Sequence, residues 1–95
     1  MGVLPDLSIR QLEYLVAVAD ASTWALAAEA VGVSPSALSQ GLSELERRVG
    51  VPLFDRDGRR RVLRPSADIV LDHARQVVAL TGDLSRWAQR TKAAD

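Results

Sequence analysis

The feature that most constrains this chain is the tripeptide Gly32-Val33-Ser34, which separates two stretches of helical periodicity and is followed at once by Pro35. Glycine adopts the left-handed conformation that ends a helix. Serine caps the next one, and proline suits its first position, where a missing N–H costs nothing. Upstream, Thr23 is placed to cap a short helix over 24–31, WALAAEAV. Downstream, a helix is predicted from Pro35 to Val49, with Leu38, Leu42, Leu45 and Val49 as its buried stripe and Gly50 as its stop. The pair reads as a helix-turn-helix, for which an ordinary αα-hairpin is the competing description.

The outer face of the later helix decides between them. Ser36, Ser39, Gln40 and Ser43 are small, polar and uncharged, where a merely solvated face would carry Lys and Glu. Short donors and acceptors allow close approach to base edges, and glutamine can bond adenine through two hydrogen bonds.

Before this unit, SIRQLEYLVAVAD over 8–20 predicts a first helix. Ser8 and Gln11 have capping-box spacing, and Ile9, Leu12, Leu15, Val16 and Ala19 share one face. After it, VPLFDRDGRRRVLR over 51–64 changes the period, with Leu53-Phe54 and Val62-Leu63 as two short strands about Asp57-Gly58. Arg56, Arg59, Arg60, Arg61 and Arg64 stud this hairpin. Isolated, such a run is a solvated turn; directly after a helix-turn-helix it is a wing, able to lie along phosphates or enter a narrow minor groove. From Pro65 to about Arg90 the pattern is helical again. Val70, His73, Val77, Leu80, Leu84 and Trp87 recur at 3-4-3-4-3, a heptad seam that needs a partner. The helix can fold back on its own domain or pair with the same helix of a second chain, and the length and regularity of the seam favour pairing. His73 within it is suited to packing or hydrogen bonding, with a pH-sensitive interface as the alternative. Residues 91–95 are expected to fray.

Composition narrows the function. With 95 residues the chain makes one compact unit, and without cysteine it has no disulfide, Cys-based zinc site or thiol nucleophile. A lone histidine excludes His-rich metal sites. No apolar run approaches the ~18 residues of a membrane span, and the N-terminus lacks a signal-peptide core. A soluble, cytoplasmic domain with no cofactor and no catalytic constellation is expected, since acids stand singly and no serine stands near the histidine. Net charge is zero, yet residues 1–34 carry −3 and residues 35–64 carry +3. That asymmetry suggests one face meant for an anion. Eleven of the twelve basic residues are arginine, whose planar fork suits phosphate and base edges, although a GC-rich genome would give the same bias.

The ordered run SPSALSQGLSELERRVG-VPLFDR, with IRQLEYLVAVAD and Ala27-Ala28-Glu29 before it, resembles the N-terminal DNA-binding domain of LysR-type transcriptional regulators. The resemblance covers roughly residues 7–90. It implies a mainly α fold, a winged helix-turn-helix of three helices plus a two-stranded wing over 1–64, followed by a long linker and dimerisation helix over 65–95. It further implies a homodimer, paired through antiparallel linker helices, on an interrupted palindrome in promoter DNA. By the same resemblance Pro35, Ser36, Ser39, Gln40 and Ser43 would lie near bases in the major groove. Thr23, Ser34, Arg56, Arg59 and Arg60 would hold phosphates or the minor groove, and Val70, His73, Val77, Leu80, Leu84 and Trp87 would form the dimer interface. A winged-helix module that binds protein instead of DNA is the alternative, fed by the zero net charge and the acidic first third.

Departures from the family pattern are visible. Ala25-Leu26 replaces a polar or basic pair, and Arg61-Val62 inverts an apolar/basic order in the wing. Leu63-Arg64-Pro65-Ser66-Ala67 lacks the usual threonine cap of the linker helix, for which Ser66 is the substitute. Members of the family normally continue into an effector-binding domain of two α/β lobes, none of which is present here. The chain is therefore expected to be a fragment rather than a stand-alone protein, and to bind no small-molecule effector itself.

Overall fold

A computed structural model describes residues 7–58 and 60–94, with the side chains of Asp57 and Arg60 outside the description. The order is α1 (Ile9–Asp20), α2 (Trp24–Val31), α3 (Pro35–Val49), β1 (Phe54–Asp57), β2 (Arg60–Leu63), a 3₁₀ turn (Pro65–Ala67) and α4 (Asp68–Ala94). The mainly α winged helix-turn-helix with a long C-terminal helix is the architecture expected from the sequence.

Each early helix starts at a side-chain cap. Ser8 Oγ accepts from the Gln11 amide at 3.4 Å, Thr23 Oγ1 from Leu26 at 3.1 Å, and Ser34 Oγ from Ala37 at 3.1 Å. The capping box at Ser8 closes on one side only, because Gln11 Oε1 is buried without a partner rather than reaching back to the Ser8 amide. Gly32 ends α2 at φ +73°, with the Val33 amide donating to Ala28 O and the Gly32 amide to Glu29 O. This pair of hydrogen bonds turns the chain straight into the Ser34 cap.

The core is built on five fully buried leucines: Leu15 of α1, Leu38, Leu42 and Leu45 of α3, and Leu53 before the wing. Burying each stabilises the fold by about 1.5–3 kcal/mol relative to exposure. Alanines Ala27, Ala28, Ala67 and Ala74 are buried where backbones pass closely. Gly41 does the same for α1 and α3, since a Cβ there would stand 2.7 Å from the Tyr14 ring. Tyr14 joins the core, which the apolar periodicity of α1 does not include, while Ile9 of that stripe is half-exposed.

The wing is an antiparallel hairpin with Phe54 opposite Leu63, Asp55 opposite Val62, Arg56 opposite Arg61 and Asp57 opposite Arg60. Gly58 takes φ +65° at its tip. Arg64 N donates to Leu53 O at 2.8 Å and closes the hairpin onto the core. Ser66 does not cap the linker helix as expected. It lies within the 3₁₀ turn opened by Pro65, where fixed proline geometry starts the turn without a side-chain cap.

The seam of α4 divides. Val70 and Val77 join Leu71, Ala74 and Val78 against the core, chiefly on α1, so the first half folds back on its own domain. His73, Leu80, Leu84 and Trp87 are exposed, roughly 100° around the helix from Ala74. The Asp20 carboxylate accepts hydrogen bonds from Nη1 and Nη2 of Arg75, at 3.1 and 2.7 Å, and pins α4 to the end of α1. The helix runs on to Ala94, so residues 91–94 are helical rather than frayed. Asp95 lies outside the described residues.

Candidate nucleic-acid interface

Helix α3 turns its leucine stripe inward, and helical geometry therefore presents Ser36, Gln40, Ser43 and Arg47 together on the opposite side. All four are exposed, as is Pro35 at the helix start. Of the five residues expected near bases, Ser39 is the exception: it is half-buried on the flank toward the wing. At the α3 N-terminus Ser34 takes the amides of Ala37 and Leu38, and Pro35 has none. The Ser36 amide is thus the first-turn donor left for a ligand, at the positive end of the helix dipole. Thr23 and Ser34 are exposed at the two helix starts.

The basic charge of the middle third is distributed unevenly. Glu44 is bridged by Arg47 and Arg48, and these hydrogen bonds, Arg47 first, lower its carboxyl to about 2. Arg64 lies 3.6 Å from Asp55. Arg56 is exposed on β1 and has no ion pair among the described residues. Arg59, and the side chain of Arg60, lie outside the described residues. Arg61, directly opposite Arg56, turns inward onto Trp24 and Phe54.

Two residues that hold this surface escaped the sequence reading. Glu46 Oε2 accepts from Leu53 N at 2.7 Å and Phe54 N at 3.1 Å, tying the entry of the wing to the last turns of α3. The only sequence signal was its place in the run SPSALSQGLSELERRVG. Trp24 meets Phe54 edge-on, with ring centroids 5.3 Å apart, and so joins α2 to β1. Leu26 is half-exposed on α2.

On α4, His73 is exposed and hydrogen-bonds the Ile69 carbonyl of its own helix through Nδ1 at 2.8 Å. No helix among the described residues is long and apolar enough to cross a membrane. No three His, Cys, Asp or Glu side chains among those residues cluster to hold a metal ion.

Comparison with known proteins decides the family. The model of the lysR family of bacterial regulatory helix-turn-helix proteins matches residues 9–68. The chain belongs to that family. Among relatives, the regulator TfdT of Cupriavidus pinatubonensis is 40% identical over 83 residues, which is 87% of this chain and 36% of the relative. The regulator EstR of Acinetobacter baylyi is 40% identical over 89 residues, 94% of this chain and 29% of the relative. The chain thus spans about a third of the length of these lysR-family relatives. Among solved structures, the CbnR DBD–DNA complex superposes with a TM-score of 0.73 at 34% identity, covering 93% of this chain and 98% of that one. Vibrio fischeri DarR in complex with DNA gives 0.75 at 26% identity, covering 93% and 30%. These structures extend the likeness past residue 68 into α4.

Proposed function

We propose that this lysR-family chain binds double-stranded DNA sequence-specifically, as the DNA-binding part of a bacterial transcription regulator working in the cytoplasm on the nucleoid and not as an enzyme. One observation carries the reading: the exposed, uncharged face of Ser36, Gln40 and Ser43 on a helix whose start is capped and open to anions. Pro35, Ser36, Ser39, Gln40 and Ser43 approach base edges in the major groove. Thr23, Ser34, Arg56, Arg59 and Arg60 hold phosphates or the minor groove, setting register while the bases set sequence. The organisation proposed is a winged unit over 1–64 and a linker over 65–95. Two chains pair through exposed Leu80, Leu84 and Trp87 with His73, while Val70 and Val77, packed on their own core, border that interface. The target is an interrupted palindrome.

Selection from a randomised duplex pool, with titration of the winner at two salt concentrations, tests this. A two-fold symmetric consensus is expected, with affinity falling steeply as salt rises because each neutralised phosphate releases counterions. Leu84→Asp should leave half-site recognition and abolish the symmetric spacing. No retained duplex, with salt-insensitive capture of a protein partner, would replace this reading with that of a protein-binding module.

A further inference from the structure

We propose that Arg61 is a positioning residue for DNA reading, holding the Ser39 hydroxyl as a hydrogen-bond donor and locking the wing to α3. The inference rests on the DNA-binding reading above. Strand alternation places Arg61 on the face of the hairpin that carries Phe54 and Leu63, against the domain. Arg56, its cross-strand partner on the same face, stays exposed to solvent, whereas Arg61 is half-buried. Arg61 instead stacks its guanidinium carbon 5.1 Å from the Trp24 ring centroid and 5.2 Å from that of Phe54. Two aromatic faces hold a cation by their quadrupoles, and the planar fork is thereby oriented. Its Nη1 then donates to Ser39 Oγ at 3.2 Å, across 22 residues of sequence.

That bond fixes what Ser39 can offer. A serine hydroxyl has one proton and two acceptor positions, and Arg61 occupies an acceptor position. Thr81 on α4 returns its proton to the carbonyl of Val77 at 2.8 Å, whereas the Ser39 proton has no acceptor among the described residues. A cationic donor polarises the hydroxyl and strengthens it as a donor in turn. Ser39 is therefore set to meet an acceptor on the DNA: guanine O6 or N7, adenine N7, thymine O4 or a phosphate oxygen. The place of Arg61 in the hairpin register, on the face of Phe54 and Leu63, is what brings a guanidinium to this spot.

The test uses the whole chain and the duplex that it enriches from a random pool, with Ser39→Ala, Arg61→Lys and the double variant. Lysine keeps the charge and much of the length but lacks the fork. Ser39→Ala should weaken binding about fivefold, the size of one net hydrogen bond. Arg61→Lys should weaken it by a similar factor with the salt slope retained, and the double variant should lose no more than the larger single loss. A preference relaxed at one base pair identifies a base acceptor; an equal loss on all duplexes identifies a phosphate. Losses that multiply in the double variant would overturn the inference, as would Arg61→Lys binding like the parent. Arg61→Leu is a further check: a salt slope smaller by about one would make Arg61 a direct phosphate contact. A parent chain that enriches no duplex would overturn the DNA reading and this inference together; an enriched site read identically by Arg61→Lys would overturn the inference alone.

Discussion

Helix α3 and the wing lie side by side on one surface, yet they are held by opposite kinds of interaction. The helix is specified locally. Ser34 caps it, Pro35 starts it, Gly50 stops it at φ +85°, and its leucines stand one or two turns apart on a single face. The wing has two four-residue strands, too little to persist alone in water. Its shape is imported: Glu46 of α3 holds its entry, Trp24 of α2 packs on Phe54, and Arg61 reaches Ser39. Such a surface carries its own geometry in the helix and borrows that of the wing from the helices beneath it.

The largest effect expected from separating the two regions is at Glu46. Glu46→Ala leaves the Leu53 and Phe54 amides without their carboxylate and should destabilise the fold by about 1.5–3 kcal/mol, the range for hydrogen bonds to a charged group. Chemical denaturation gives the total. Amide hydrogen exchange should show the loss concentrated at Leu53, Phe54 and the wing, with the middle of α3 still protected; uniform loss across α3 would show that the two regions are not separable. Glu46→Gln, which retains an acceptor oxygen, should recover part of the stability. A smaller loss, centred on the helix instead of the wing, belongs to Ser34. Ser34→Ala removes the cap of α3 and should cost about 1 kcal/mol. Exchange should then rise at Ala37 and its neighbours while the wing amides keep their protection.

The same contrast explains what the sequence made legible. Caps, glycine stops and the Leu38, Leu42 and Leu45 stripe are local chemistry, and the helix-turn-helix followed from them. Likewise the Asp57-Gly58 turn located the hairpin. Residues that act across the fold left little trace. Glu46 looks like an ordinary charged residue until the wing folds over it, and Arg61 until its strand packs on Trp24 and Ser39. Tyr14 is buried because Gly41 has no side chain to exclude its ring, a match between two helices that no single periodicity reveals. Ser66 looked like a cap, but Pro65 had already begun a 3₁₀ turn. The α4 seam shows a related limit. A heptad pattern says that a stripe is to be covered, and not by what: α1 covers Val70 and Val77, while Leu80, Leu84 and Trp87 have no cover within the described chain.

The central claim, that α3 reads bases while the arginine-bearing wing grips the backbone, is tested most directly by repeating the duplex selection with Gln40→Ala and Arg56→Ala. Gln40→Ala is predicted to change the preferred base pair at one position of each half-site, worth about 1–3 kcal/mol of discrimination. Arg56→Ala is predicted to keep the consensus, weaken binding to every duplex alike and reduce the salt slope by about one. A consensus left unchanged by Gln40→Ala and altered by Arg56→Ala would contradict the account.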